Sequence, residues 1–178
     1  MERAEMNLFG EPAGMSAILS TCGTYRYRLD RRIADTGPVY AFFGVNPSTA
    51  DASIDDATVR KWRGFVTRWG GSRFIVGNIF AYRATDVKEL AHAADPIGPD
   101  NFTCMMQIGF EADIIVPCWG NRDKLPKSLR HKCDWALDVL HGFGKPVMSF
   151  GLSQGGDPLH PLMLGYDTPL SAISKEQP

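Results

Sequence analysis

The sequence predicts a three-layer αβα sandwich with a mostly parallel central sheet. Three observations carry that prediction. Four apolar runs of strand length recur along the chain, at 39–45, 74–80, 113–118 and 145–150. Segments with helical spacing separate them, so strand and helix alternate after the first strands. The apolar runs show little alternation, as strands covered on both faces do. A chain of 178 residues with 44% hydrophobic and 22% charged residues forms one domain with a sizeable core.

Taken in order, residues 1–15 read as a flexible N-terminal arm, with Gly10, Pro12 and Gly14 interrupting any regular element. The domain proper is expected over 16–170, and a tail over 171–178. Residues 25–29 alternate, placing Tyr25, Tyr27 and Leu29 on one face of a half-buried strand at or near a sheet edge. The run 39–45 ends at Asn46-Pro47-Ser48. Residues 56–69 form a helix whose apolar stripe is Val59, Trp62, Val66 and Trp69, stopped by Gly70-Gly71. After the strand at 74–80, a helix covers 99–111 and a strand 113–118. A further helix covers 128–140, turning Leu129, Cys133, Ala136, Leu137 and Leu140 inward, and the last strand is 145–150.

Composition excludes several classes. Nineteen Lys and Arg against twenty Asp and Glu leave a net charge of -1, which excludes a globally basic nucleic-acid-coating protein but permits a locally basic face. No apolar run approaches the roughly 20 residues of a membrane helix. Residues 1–12 carry acids and lack a signal-peptide core, so a cytoplasmic location without a membrane partner is expected. Cys22, Cys104, Cys118 and Cys133 contain no C-x-x-C pair; they read as reduced thiols, with a cluster held by four scattered cysteines the weaker alternative. G-x-x-x-x-G-K-[ST], G-x-G-x-x-G after a strand, H-E-x-x-H and G-x-S-x-G are all missing, and no cofactor is expected. Asp51, Asp55 and Asp56 could suggest a divalent metal. Helix capping by Asp55 or Asp56 is the competing reading and the one adopted, so no metal is expected.

Ligands bind open parallel sheets at the carboxyl ends of the strands. Those ends deliver Asn46 and Ser48 after the first apolar strand, Asn78 and Arg83 after the second, Trp119 after the third and His160 after the fourth. Turn chemistry accounts for any one of them. Four such loops converging predict one crevice lined by Asn46, Asn78, Trp119 and His160. Arg60, Lys61, Arg63, Arg68, Arg73 and Arg83 lie in a stretch, 57–85, that holds no acid; a second basic stretch spans 122–132. Either could face phosphates or simply solvent.

The strings YRYRLDRR at 25–32, FFGVNPSTAD at 42–51, DDATVRK at 55–61, GNIFAYRAT at 77–85 and GDPLHPL at 156–162 resemble a bacterial and phage family catalogued as a domain of unknown function, number sixteen-forty-three. A remoter resemblance is to uracil-DNA glycosylases of the mismatch-specific type. Gly44-Val45-Asn46-Pro47 is similar to their first motif, Asn78 takes the place of a base-reading asparagine, and His160-Pro161 resembles their last motif. Ser48-Thr49-Ala50 departs from the usual residues, and Leu162-Met163-Leu164 reads as a wedge or as another core strand.

The resemblance implies a glycosylase-like fold and, with it, hydrolysis of an N-glycosidic bond on a flipped or modified base in DNA. Asn46 would hold water, His160 would donate to the developing anion on the base, and Asn78 would read the base edge. Phe43 or Trp119 would stack on it, while Ser48, Arg60, Arg63 and Arg83 would hold phosphates. The rival readings are an enzyme acting on a free nucleotide or modified nucleoside in phage base modification, and a non-catalytic nucleic-acid-binding module. DNA or a nucleotide is the partner in each.

Overall fold

The computed structural model describes residues 14–48, 50–51 and 53–174. In chain order the elements are β1 (Met15–Leu19), β2 (Arg26–Arg32), β3 (Val39–Gly44), α1 (Ala57–Arg68), β4 (Arg73–Asn78), α2 (Asn101–Glu111), β5 (Ile114–Pro117), α3 (His131–His141), β6 (Met148–Ser149) and β7 (Ser171–Ala172), with short 3₁₀ turns between them. The α/β class is as expected. The five-stranded sheet runs β1-β2-β4-β3-β5.

The sheet is mixed rather than mostly parallel, which corrects the sequence expectation. β3 pairs in parallel with β4 and β5, but the β1–β2 and β2–β4 ladders are antiparallel. The reason is local. Ser20 N–H donates to the Tyr25 carbonyl and Gly23 N–H to that of Ser20, closing a turn between β1 and β2. Strands joined by so short a turn run antiparallel. β1 itself was not foreseen. The run 145–150 yields only the two-residue β6, which meets the main sheet at the Ile115–Val147 bridge and pairs with β7.

Both faces of the central strands are covered, which is why their sequences barely alternate. Tyr40, Phe42, Phe74, Val76 and Val116 pack with Val59, Trp62, Phe65 and Val66 of α1. Ala41, Phe43, Ile75 and Ile115 pack in a second cluster with Met105 and Ile108 of α2 and Cys133, Ala136 and Leu140 of α3. Asp56 caps α1 by accepting from Val59 N–H at 2.8 Å, and Gly70, at φ +69°, turns the chain beyond its end. The β3–α1–β4 crossover covers one face and the β4–α2–β5 crossover the other. Chain direction therefore splits at the carboxyl end of β3, the arrangement that opens a ligand crevice.

β2 departs from strict alternation. Leu19 opposes Arg26 but Ile18 opposes Arg28, so Tyr27 is an extra residue in a β-bulge. Tyr27 and Arg28 both reach α2, through Cys104 and Glu111 respectively. Leu29 lies in the α1 cluster, opposite Tyr25 and Tyr27 rather than beside them.

Of the expected arm, residues 1–13 lie outside the described residues, and Met15 opens β1. Ser171–Ala172 pairs with β6 and Ile173 is buried in the core, so these residues belong to the domain and not to a tail. The four cysteines are free, Cys22 exposed and the others buried. Among the described residues no helix is long and apolar enough to cross a membrane.

Gly77 marks the tightest packing between sheet and α2. A Cβ there would lie 2.7 Å from a ring carbon of Phe43 and 3.1 Å from Ile108 Cδ1. Gly77→Ala is expected to destabilise the protein by about 1–3 kcal/mol, the usual cost of overpacking, read by chemical denaturation.

Candidate functional site

At the carboxyl ends of β3, β4 and β5 lies a pocket of about 160 Å³. Asn46, Ser48, Asn78, Trp119 and His160 all line it, so four separate loops meet there, as the strand-end rule anticipates. The volume is below the roughly 300–1,000 Å³ of drug-sized pockets and suits one small ring. A larger groove of about 440 Å³ lies at the opposite, amino ends of β3 and β4, beside Val39 and Arg73.

Each lining side chain has an identifiable hold. Asn78 closes β4 and is 3% exposed; its Oδ1 sits over Gly44, where a Cβ would come within 3.1 Å. The buried Asn101 amide supports it from below, donating to the carbonyls of Asn78 and Ile79. Asn46 donates its amide to the carbonyls of Ala84, at 2.7 Å, and Pro47, at 3.1 Å. Both of its N–H groups are thereby engaged, and Oδ1 is the atom left to accept.

His160 stands on a loop fastened at two points. Gly120 N–H donates to the Pro158 carbonyl at 2.8 Å, and Gly120, at φ +76°, leaves room for His160 Cβ. The buried Asp157 accepts from the Arg122 backbone N–H and from Arg122 Nε, while Arg122 also pairs with Asp134 of α3. His160 Nδ1 accepts from Leu162 N–H at 3.3 Å, which puts the proton of the neutral ring on Nε2. Desolvation lowers its pKa below 6.5; Lys124 adds to the lowering and Asp56 opposes it. The ring is thus a neutral Nε2–H donor at pH 7.

Not every expected residue is at the pocket. Phe43 is fully buried, its ring against Gly77 on the α2 face, so it cannot stack on a ligand. Trp62 stands at the lining instead, stacked on Phe42 at 5.2 Å. Arg60 and Arg63 are turned to Asp55, the first bonding its carbonyl and the second its carboxylate, because α1 brings these long side chains back over its own N-terminus. Arg83 lines a neighbouring pocket of about 340 Å³ that shares Ser48 with the first. The 162–164 segment is not a strand: Pro161–Met163 form a 3₁₀ turn, with Met163 90% and Leu162 41% exposed, and only Leu164 packs against the α1-side cluster. Asp51 closes a turn on Ser53 and Ile54, Asp55 pairs with Arg31 and Arg63, and Asp56 caps α1.

Arg26, Asp56, Thr58 and Trp62 line the pocket and were missed as site residues. The DDATV string shows a cap, which hides that the capping residue also lines the pocket. Nothing in the alternation of 25–29 signals that a bulge turns Arg26 inward.

Residues 26–162, about three quarters of the chain, match the model of a family described as "Protein of unknown function (DUF1643)". The chain belongs to this family. Searches of curated proteins and of solved structures return no match. The DUF1643 match opens at Arg26 and closes just past His160, so it encloses every residue that lines the pocket.

Two predictions follow from the His160 loop. Arg122→Met removes the side-chain bonds to Asp157 and Asp134, keeps the backbone N–H bond, and leaves Asp157 buried without its cation; a stability loss of about 1.5–3 kcal/mol is expected in urea titration. His160 should titrate below 6.5 when followed by NMR. Just below pH 6.5 the unfolded chain then binds more protons at this site, so its contribution to stability is present above that pH and is lost on acidification.

Proposed function

We propose that this DUF1643 protein binds a nucleobase in the pocket and hydrolyses its N-glycosidic bond, in a fold of the uracil-DNA-glycosylase kind. The observation that carries the reading is the convergence of N–H donors. Asn78 Nδ2 and Trp119 Nε1 are buried without partners, and the neutral His160 Nε2–H joins them at the same small pocket. A base leaving a sugar gains negative charge on its ring, and donors fixed in a dry site stabilise that charge.

In the proposed step water adds to the anomeric carbon, the bond from that carbon to the ring nitrogen breaks, and the base departs with the bonding electrons. The water proton passes to the protein and then to the base, leaving an abasic sugar and a free base. Asn46 Oδ1 is free to accept from the attacking water. Asp56, at the N-terminus of α1, is the carboxylate at the pocket that can take its proton. The exposed Leu162 and Met163, just beyond His160, suit the gap a flipped base leaves in a duplex.

A second reading has its own support. Arg60 and Arg63 are occupied by Asp55, and the neighbouring pocket carries Arg83 a short way from Ser48. That arrangement suits the single phosphate of a free nucleotide better than a polymer backbone.

The test is incubation with oligonucleotides and nucleotides carrying normal and modified bases, with alkali cleavage reporting abasic sites and chromatography reporting free base. His160→Ala is expected to keep the melting temperature within a few degrees and to lower base release about 10²–10³-fold, as for a lost oxyanion donor. No base release from any of these substrates would overturn the hydrolase reading.

A further inference from the structure

Among the described residues three arginines are buried: Arg26, Arg28 and Arg31. Arg28 is bound to Asp30 and Glu111, and Arg31 to Asp55. Arg26, 3% exposed, forms no ion pair among the described residues. Its Nη1 donates to the Ala50 carbonyl at 2.6 Å, and its Nε is buried with no hydrogen-bond partner. It lines the same pocket as Asn78 and Trp119, whose side-chain nitrogens also lack partners. The Trp62 indole nitrogen, which is also buried without a partner, lies beside the Cys118 thiol.

Burying a guanidinium without an anion is costly, and an unmade bond to a charged donor adds to the cost. Such a group persists where a ligand supplies the missing partner. The Nε side of a guanidinium is one edge of its planar fork and fits an oxygen pair held in a plane. We propose that the pocket recognises an anionic, nucleobase-sized ring, with Arg26 Nε, Asn78 Nδ2 and Trp119 Nε1 donating to the oxygen-bearing edge that carries the charge. The proposal rests on the pocket as the base site and adds the charge of its occupant. It makes Arg26 a specificity-determining residue.

The remaining charges agree with one orientation. Burial lowers the Arg26 pKa to about 10, with Asp56 and Asp51 opposing and Arg83 and Arg31 reinforcing, so it stays cationic at pH 7. Asp56 reaches the pocket from α1 with one oxygen engaged by Val59 N–H. It disfavours an anionic edge on its own side, so the charged edge is directed to β2 and β4 and the attacking water to α1.

The test uses the intact chain and three ring probes. Orotate is a pyrimidine bearing a carboxylate, its methyl ester is the same ring made neutral, and uracil lacks the substituent. Calorimetric titration is expected to show orotate binding about 10–100-fold tighter than either neutral ring, the worth of one charge-assisted hydrogen bond. That advantage should vanish in Arg26→Gln and fall in Arg26→Lys, which keeps the charge but not the fork. The wild-type comparison needs no variant and stands even if Arg26→Gln fails to fold. Equal binding of the three rings, no binding of orotate, or an orotate preference that survives in folded Arg26→Gln would overturn the proposal. Base release without orotate binding would leave the hydrolase reading intact and remove only this one; orotate binding without base release would do the reverse.

Discussion

The site depends on a single buried side chain on the strand beside it. Arg31 is fully buried, and its guanidinium binds the Asp55 carboxylate together with the carbonyls of Ser16, Asp30 and Asp51. A guanidinium in that setting is tolerable only with its donors satisfied, so the segment around Asp51 and Asp55 is drawn onto β2. The next residue, Asp56, caps α1. By fixing the entrance to α1, Arg31 sets where Asp56, Thr58 and Trp62 meet the pocket. The core of the sheet could form without this contact, but the segment from Asp51 to Asp55 would lose its anchor on β2.

A second constraint lets β2 hold that loop at two places. Arg26 and Arg31 are five positions apart, an odd number, so regular alternation would send them to opposite faces. The bulge at Tyr27 adds one residue and restores them to the same face. Arg26 then reaches the Ala50 carbonyl while Arg31 reaches Asp51 and Asp55. The two stay distinct in chemistry. Arg31 is neutralised by a carboxylate and is structural, whereas Arg26 lines the pocket and has a buried Nε without a partner.

What could be read from the sequence follows from this arrangement. β3, β4, β5 and all three helices were legible because burial on two faces, or on one stripe, leaves a periodic trace in composition. The convergence of Asn46, Asn78, Trp119 and His160 was legible because sheet topology alone sends strand ends to one side. The direction of β2 was not, since a strand's apolar pattern is the same whichever way it runs. Phe43 and Trp62 were confused for a related reason: a doubly buried strand gives no sign of which face an aromatic residue takes. The fates of Arg60 and Arg63 lie in ion pairing to Asp55, a contact between side chains that no local pattern announces. Arg26 was hidden most deeply, because only a bulge defined by pairing with β1 turns it inward.

The pocket's charges bear on one another in a way that its separate residues do not show. Cleavage of a glycosidic bond moves electron density from sugar to base, so a site that assists it needs donors at one end and acceptors at the other. Under the proposed reaction, Arg26, Asn78 and Trp119 supply N–H groups from β2, β4 and the end of β5, while Asn46 Oδ1 and the Asp56 carboxylate supply oxygens from the loop after β3 and the start of α1. His160 belongs with the donors, yet its pKa is lowered, so it donates without bringing a second positive charge to the pocket that Arg26 lines. A charged imidazole would be opposed by its burial and by Lys124. A neutral ring, held in one tautomer by Leu162 N–H, keeps its Nε2–H for the ligand at no such cost. The bond from Leu162 and the desolvation of the loop therefore act together: one selects the tautomer, the other the charge state, and both depend on the Arg122–Asp157 pair that holds the loop against β5.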